Sequence, residues 1–243
     1  MSPRAKNHVP QVNSAVPAAA RSKAERTRGS ILRVAAAIAS VEGLERLTIG
    51  RLASELEMSK SGLYAHFGSK VALQLATIEA AREVVQVEIV EPSLERPEGI
   101  ERLWAFCASF FSYVEREVFP GGCFFANVQA ELNACEGRVR DRVAELGQQW
   151  LGRLAAEIRL AQRLGQLRAD LEAEQLAFEL EALMFTASTT RLLFPRLDLL
   201  TRARRALRER LDREALCPFG PEAHKTRVGR ARTARHRDPS ASG

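Results

Sequence analysis

Apolar residues recur every three or four positions through most of this chain, and that spacing restricts the fold more than any other feature. The first such stretch carries a single apolar stripe, formed by Ile31, Val34, Ala35, Ile38 and Ala39. The alternation expected of strands is missing at any useful length, and so is an internal repeat. The pattern therefore predicts an all-α protein.

Capping and helix-breaking residues predict where the helices begin and end. Thr48, Ser59 and Ser69 have the side chains of N-caps, whereas Gly68 stops one helix. Pro92 and Pro97 are expected to break the chain after the fourth helix. The predicted helices cover residues 22–41, 48–57, 59–67, 70–90, 99–118, 122–135, 137–164, 172–194 and 197–214.

The two ends of the chain differ from its middle in charge. Residues 1–70 carry 11 positive and 5 negative side chains, and residues 221–243 carry 6 and 2. Residues 71–220 carry 19 positive and 23 negative side chains. A basic end beside an acidic middle favours an anionic partner for the ends, with nucleic acid first. We expect a disordered basic arm at 1–21, a DNA-binding unit at 22–70, a larger helical unit at 71–217 and a disordered basic tail at 218–243.

Several classes of protein are disfavoured by composition. The longest apolar runs are too short for a membrane span, and the first twenty residues lack the apolar segment of a signal peptide. The four cysteines, Cys107, Cys123, Cys135 and Cys217, form no CxxC pair and have no histidine at zinc spacing. We therefore expect no metal, no cofactor and no disulfide framework, and a reducing cytoplasm fits.

The short helices at 48–57 and 59–67, joined by a tight turn at Met58, have the outline of a helix-turn-helix. On the second helix Leu63 and Phe67 are four residues apart and are expected to pack inward. Ser61, Gly62 and Ala65 lie on the opposite face, and their small size lets the floor of a major groove approach. The alternative is an ordinary helical hairpin with a solvated polar face.

Side-chain chemistry predicts a role for each outward residue. Lys60 suits a guanine edge, Ser61 a base edge, and the Ala65 methyl a thymine methyl. Tyr64 and His66 suit phosphates on the groove walls. Two further phosphate contacts are predicted at helix starts, one by Lys70 on the next helix and one by Thr48 on the first short helix. A basic arm that tracks the backbone or enters a minor groove is formed by Arg21, Lys23, Arg26 and Arg28.

The run from Leu47 to Lys70, LTIGRLASELEMSKSGLYAHFGSK, followed by Leu73 and Gln74, resembles the DNA-binding segment of TetR-family transcriptional regulators. Met58 replaces the usual valine. Glu57 stands where the family most often has glycine, which predicts a turn that is either slightly strained or differently shaped. The resemblance implies an all-helical homodimer, controlled by a small molecule, that binds a palindromic operator and usually represses transcription.

The larger unit resembles one common C-terminal type of that family in the segment Pro120-Gly-Gly-Cys-Phe-Phe-Ala-Asn127, in Trp150 and in residues 161–165. Helix 99–118 is apolar on two faces, so it is buried or lines a cavity. The resemblance implies that such residues line an effector pocket. A mainly aromatic wall would suit an apolar or aromatic small molecule, and the polarity of the effector stays open because the sequence identifies no buried charge. The candidate lining residues are Trp104, Cys107, Phe110, Phe111, Phe124 and Phe125, and ordinary core packing is the alternative for each.

Two further predictions concern the same unit. The resemblance implies a dimer seam on the last two helices, and packing inside one chain is the alternative. The candidate seam residues are Leu176, Leu180, Leu183, Ala187, Leu200, Ala203, Leu207 and Leu211. Cys123 follows two glycines at a helix N-terminus, where a thiolate is favoured, so a redox sensor stands beside the commoner interpretation of a small core residue.

The leading hypothesis is thus a cytoplasmic repressor whose two recognition helices become mis-spaced when effector binds, with the helix from Lys70 as the lever. An activator, or a regulator without an effector, would use the same fold. A helical enzyme or ligand carrier is the third possibility, although the sequence shows none of the familiar catalytic arrangements.

Overall fold

A computed structural model describes residues 23–220, and within them it shows nine helices and no strand beyond an isolated bridge between Leu167 and Ala215. The fourth helix, α4, begins as Lys70–Val85, continues through a π-helical turn at Gln86–Val90 and ends as Glu91–Leu94. The others are α1 (Lys23–Glu42), α2 (Ile49–Leu56), α3 (Lys60–Phe67), α5 (Ile100–Glu115), α6 (Phe124–Leu132), α7 (Arg138–Arg163), α8 (Ala173–Thr190) and α9 (Leu199–Glu214). A short 3-10 turn, Pro195–Leu197, precedes α9. The all-α prediction is confirmed.

One contiguous apolar core runs through the three N-terminal helices into the larger unit. Ile38 of α1, Leu52 of α2 and Leu63 of α3 are fully buried and hold the small unit together. In the larger unit α5 packs against the C-terminal part of α4 and against α7, α8 and α9. Its burial on opposite faces, by Phe106 and Phe111 among others, agrees with its apolar circumference.

The fourth helix runs past Pro92, where the sequence predicted a break. The π-helical turn explains the difference, because the Glu91 N–H donates to the Gln86 carbonyl five residues back. This extra residue places Pro92 in the first turn of Glu91–Leu94, where a missing N–H costs little. The helix ends before Pro97 instead.

The folded body extends beyond the predicted boundary at residue 218. Phe219 is buried and meets the Trp104 ring edge-on, with ring centroids 6.1 Å apart. The Arg208 guanidinium lies 3.8 Å from the Phe219 centroid, and the Gly220 N–H donates to Glu101 at 2.8 Å. A single aromatic residue in a basic segment therefore anchors it to α5 and α9.

The predictions for the arm at 1–21, with Arg21, and for the tail at 221–243 lie outside the described residues, as does the side chain of Lys23. Within residues 23–220 no helix is long and apolar enough to cross a bilayer. The same part of the chain holds no group of three His, Cys, Asp or Glu side chains placed to bind a metal.

Candidate nucleic-acid interface and ligand cavity

Three hydroxyl caps fix the start of α2, α3 and α4. Thr48 Oγ1 accepts from the Arg51 N–H at 3.0 Å, and Ser59 Oγ accepts from the Gly62 N–H at 3.1 Å. Ser69 Oγ accepts in the same way from the Ala72 N–H at 3.1 Å. Each cap satisfies an N–H that a helix leaves unpaired, so the sequence alone sets where these helices begin.

The turn between α2 and α3 rests on a non-glycine residue in the left-handed region. Glu57 has φ 54° and ψ 33°, the conformation that the resemblance assigned to glycine. The Met58 N–H then returns to the Ala53 carbonyl at 3.1 Å and closes the turn. Glu57 therefore occupies a backbone region that is strained for a residue with a Cβ.

The third helix divides into a buried and an exposed face. Leu63 is fully buried and Phe67 is 7% exposed, and the Arg28 guanidinium covers the Phe67 ring at 5.1 Å. Tyr64 on the outer face is 60% exposed. Among the other residues predicted to face DNA, Lys60, Ser61 and Ala65 are exposed, whereas Gly62 and His66 are half-buried. The helix thus presents a small-residue surface bordered by Lys60 and Tyr64.

The positive charges around this surface are not equivalent. Lys60 forms no ion pair with any residue between 23 and 220, so its ammonium is available to a ligand. Lys70, the predicted phosphate contact, is paired instead with Glu45 at 3.0 Å. Arg51 is held by Glu42 and Glu55 at 2.6 and 2.8 Å, and the Glu42 hydrogen bonds raise the pKa of its guanidinium. The Arg51–Glu42 ion pair therefore links α2 to α1.

A cavity of about 200 Å³ lies between the helices of the larger unit. Side chains from α4, α5, α6, α7 and α8 line it, and exposed Arg82, Gln149 and Arg153 mark its opening. The remaining lining residues are Val85, Gln86, Ile89, Val90, Phe110, Cys123, Phe125, Ala126, Gln129, Leu146, Trp150, Glu181 and Phe185. The π-helical turn of α4 forms one wall.

Two of the six predicted pocket residues, Phe110 and Phe125, line this cavity, and the other four lie elsewhere. Trp104 packs on Arg208, and Phe111 packs under the Arg204 guanidinium at 5.3 Å. Cys107 and Phe124 are fully buried in the surrounding core. The two apolar faces of α5 are equivalent in the sequence, and both are buried in the structure. Trp104 and Phe111 pack against arginines of α9, whereas Phe110 on the other face lines the cavity.

Glu181 is the cavity residue that the sequence did not reveal. Its carboxylate accepts a 2.6 Å hydrogen bond from Trp150 Nε1. Burial among apolar side chains raises the pKa of this carboxyl to about 7, and the Trp150 hydrogen bond opposes the shift. The two residues are 31 positions apart on different helices, so no local pattern linked them.

Cys123 lines the same cavity but does not have the character of a reactive thiolate. It is buried, and burial raises the pKa of its thiol to about 11 despite hydrogen bonds from the first turn of α6. Burial therefore outweighs the effect of the helix N-terminus, which on its own favours a thiolate. Cys123 is a small core residue with one side on the cavity.

The residues proposed for a dimer seam lie mostly inside the chain. Leu183 and Leu200 are half-buried, and the six that are buried within the chain are Leu176, Leu180, Ala187, Ala203, Leu207 and Leu211. Their burial joins α8 to α9 in one chain. The same helix pair has an open apolar groove on its outer side, where Phe178 is 62% exposed and Leu183, Leu199 and Ala206 contribute.

Comparison with known proteins links both regions to one family. Residues 31–77 match the model of bacterial regulatory proteins of the tetR family, and residues 99–207 match the model of the tetracyclin repressor-like C-terminal domain. The nucleoid occlusion factor SlmA of Vibrio vulnificus (strain YJ016) is 30% identical over 128 residues, which span 52% of this chain and 64% of that protein.

Solved structures share the fold. A TetR transcriptional regulator from Chloroflexus aurantiacus J-10-FL superposes with a TM-score of 0.73 at 25% identity, covering 79% of this chain and 98% of the other. A putative transcriptional regulator from Saccharomonospora viridis, solved in complex with choline, gives 0.62 at 23% identity with the same coverage of 79% and 98%. At 23% identity, the similarity to the Saccharomonospora viridis protein supports a shared fold and nothing more.

Proposed function

Because the chain belongs to the TetR family of transcriptional regulators, we propose that it represses transcription by binding a palindromic operator as a homodimer and leaves DNA when a small molecule binds. The observation that carries the proposal is the exposed face of α3. Lys60, which forms no ion pair with residues 23–220, and the exposed Tyr64 border this face. A small-residue floor between two polar side chains fits a major groove.

Within this proposal each outward residue has a defined task. Lys60 and Ser61 donate to base edges, and Ala65 meets a thymine methyl. Tyr64 and His66 contact phosphates, and Thr48 and Lys70 add contacts at the starts of α2 and α4. Lys70 must first leave Glu45, so its phosphate contact replaces an existing ion pair.

The groove on α8 and α9 supports a homodimer. Phe178, Leu183 and Leu199 leave apolar surface open to solvent, and a second copy would cover it. A two-fold dimer presents two recognition helices to successive major grooves, which is why a palindromic operator follows from it.

Two contacts link the cavity to the DNA-binding unit. The α4 helix forms a cavity wall with its π-helical turn and begins directly after α3. The α6 helix lines the cavity with Phe125 and Ala126, and its Glu131 carboxylate accepts from the Leu44 and Glu45 N–H groups at 2.7 and 2.9 Å. A ligand that shifts either helix would therefore reorient α3.

The α6 helix is also held on α1 itself. Asn127 Nδ2 donates to the Ser40 carbonyl at 3.0 Å, and the Gly121 N–H donates to Ser40 Oγ at 3.2 Å. A Cβ at Gly121 would lie 1.8 Å from the Ser40 carbonyl, so this approach requires glycine. The α6 helix thus moves together with α1.

The test is a selection of purified full-length protein on random duplex DNA at near-physiological salt. We expect an inverted repeat to be enriched. Lys60→Ala should relax base preference at one position in each half-site by about 1–3 kcal/mol, whereas Arg205→Ala on α9, a control of equal charge change, should leave the selected sequence unaltered. Binding without any enriched sequence would contradict direct base recognition by α3.

The regulatory sign has its own test, which is a reporter fused to the selected operator in cells with and without the gene. Deletion should raise expression if the protein represses, whereas lost expression would make it an activator. The choline complex of the Saccharomonospora viridis neighbour supports small-molecule binding in this fold. We place the protein in the cytoplasm and assign it no catalytic role.

The dimer is tested by mass measurement in solution. Phe178→Lys should convert the dimer to a monomer, because a charge in the centre of an apolar interface is not compensated. Leu151→Lys, at an exposed leucine of α7 outside the groove, is the control and should leave the mass unchanged. A dimeric Phe178→Lys variant would exclude this groove as the interface.

A further inference from the structure

The carboxylate of Glu181 faces the cavity, whose two arginines, Arg82 and Arg153, lie at the opening. Trp150 is its one hydrogen-bond donor among the described residues, and no Lys, Arg or His between 23 and 220 lies within ion-pair distance. An ionised carboxylate enclosed by apolar side chains is costly unless something compensates its charge. In agreement with that cost, burial raises the pKa of this carboxyl to about 7.

The other charged and titratable groups around the cavity do not replace that compensation. Arg82 on α4 is exposed and paired with Glu79 at 2.9 Å, and Arg153 on α7 is exposed at the opening. Cys107 on α5 and Cys123 on α6 lie near Glu181, and burial raises the pKa of both thiols, so they stay neutral. The interior therefore holds a single ionisable carboxyl.

Four aromatic side chains are among those that line the cavity with Glu181, namely Phe110, Phe125, Trp150 and Phe185. The Trp150 ring packs at a tilt against Phe106, with ring centroids 4.5 Å apart, and lies 6.1 Å from Phe110. Aromatic faces attract cations through the negative potential of the ring, and they attract them more strongly where water is excluded.

From this arrangement we propose that the cavity is a binding site for a small organic cation, an apolar amine or quaternary ammonium whose charge pairs with Glu181 while its body packs against Trp150, Phe110 and Phe125. The cavity measures about 200 Å³ and opens to solvent beside Arg82, Gln149 and Arg153, so a ligand with a single ring or a short chain is the simplest to test. The proposal rests on the proposed function, because it names the ligand class of the same cavity.

The consequence is a ligand affinity that depends on pH. Below the raised pKa a proton occupies the carboxyl and must leave before the cation binds. The affinity for a permanent cation should therefore rise about tenfold between pH 6 and pH 8.

The experiment is calorimetric titration of the full chain, without DNA, with benzyltrimethylammonium and with neopentylbenzene, its neutral isostere in which carbon replaces nitrogen. We expect the cation to bind at least about tenfold tighter than the isostere. Glu181→Gln keeps the hydrogen bond from Trp150 but removes the charge, so it should remove this preference and the pH dependence. Glu174→Gln, an exposed carboxylate on the same helix, is the control and should behave as the unaltered chain does.

Equal affinity for the two probes overturns the proposal, and so does an unaltered preference in Glu181→Gln. The proposal also fails if neither probe binds. A thermal melt of each variant checks that it folds. A final arm adds the cation to the protein–operator complex. If the cation binds but the protein–operator complex stays intact, the proposed cation site survives and the proposed release of DNA by that ligand fails. The failures of the two proposals are therefore distinguishable.

Discussion

The proposed DNA-facing surface and the proposed ligand cavity are built in opposite ways. The surface comes from one eight-residue helix, α3, with a serine cap before it and a glycine after it. The cavity takes its lining from five helices, α4 to α8, whose contributing residues extend from Arg82 to Phe185. The first site is local in the sequence, and the second exists only when distant helices have packed.

This difference decides how each site tolerates change. A residue on the outer face of α3 touches solvent, so its substitution should alter recognition with little effect on folding. A residue that lines the cavity also packs against its neighbours, so its substitution should alter folding and binding together. The predictions below test that separation, from the largest expected effect to the smallest.

Leu63→Ala should have the largest effect, because Leu63 is fully buried beneath α3. The lost burial and the cavity left behind should lower the free energy of unfolding by about 2–5 kcal/mol, measured by urea denaturation. Tyr64→Ala, one residue away on the exposed face, should stay within about 0.5 kcal/mol and yet lose DNA affinity. Similar losses of stability in the two variants would contradict the division of α3 into two faces.

Glu181→Gln should change stability in a way that depends on pH. Burial raises the pKa of the Glu181 carboxyl to about 7 in the folded chain, whereas the ordinary pKa of this group, 4.5, applies to the unfolded chain. The folded chain therefore binds more protons in that window, and its stability should fall as the pH rises from below 4.5 to about 7. Glutamine has no such loss, so it should be the more stable variant at pH 8, by at most about 3 kcal/mol.

The measurement is the difference in unfolding free energy between Glu181→Gln and the unaltered chain at several pH values without ligand. The difference should be small near pH 5 and grow toward pH 8, where Glu174→Gln should show no such growth. A difference that does not vary with pH would mean that Glu181 titrates alike in the folded and unfolded chains.

The sequence predicted the helical fold and most features of the DNA-binding unit because their determinants are near neighbours. Caps such as Ser59 act three residues away, and the alternation of Leu63 with Tyr64 follows from helical geometry. The run past Pro92 was missed because a π-helical turn has no simple sequence signal. Glu181 was missed because its hydrogen-bond partner is on another helix.

Substitutions in the ion pair of Lys70 and Glu45 should have a smaller effect. They should change operator affinity and leave the ligand cavity unaffected. Both side chains are substantially exposed, so their ion pair contributes at most about 1 kcal/mol. Glu45→Gln frees Lys70 for phosphate and should tighten operator binding up to several-fold. Lys70→Ala should weaken binding to all sequences alike and reduce the salt dependence by about one phosphate contact per half-site.

These two variants are compared by titrating labelled operator at several salt concentrations. Glu55→Gln is the control for a lost carboxylate in the same unit, since Glu55 is committed to Arg51 and not to a lysine. If Glu45→Gln gained nothing while Lys70→Ala still weakened binding, the phosphate would not compete with Glu45 for the ammonium.

Glu57→Gly should give the smallest effect, and it should be stabilising. A non-glycine residue at φ 54° carries a steric cost of about 1–2 kcal/mol. Glycine removes that cost but loses more backbone entropy on folding, about 0.5–1 kcal/mol, so the net gain in unfolding free energy should be about 0.5 kcal/mol. Glu57→Ala keeps the strain and should gain nothing, which separates relief of the backbone from removal of the charge. If urea denaturation found glycine less stable than alanine at this position by the full entropy cost of about 0.5–1 kcal/mol, the turn would be unstrained, and the departure of Glu57 from the family pattern would have no energetic consequence.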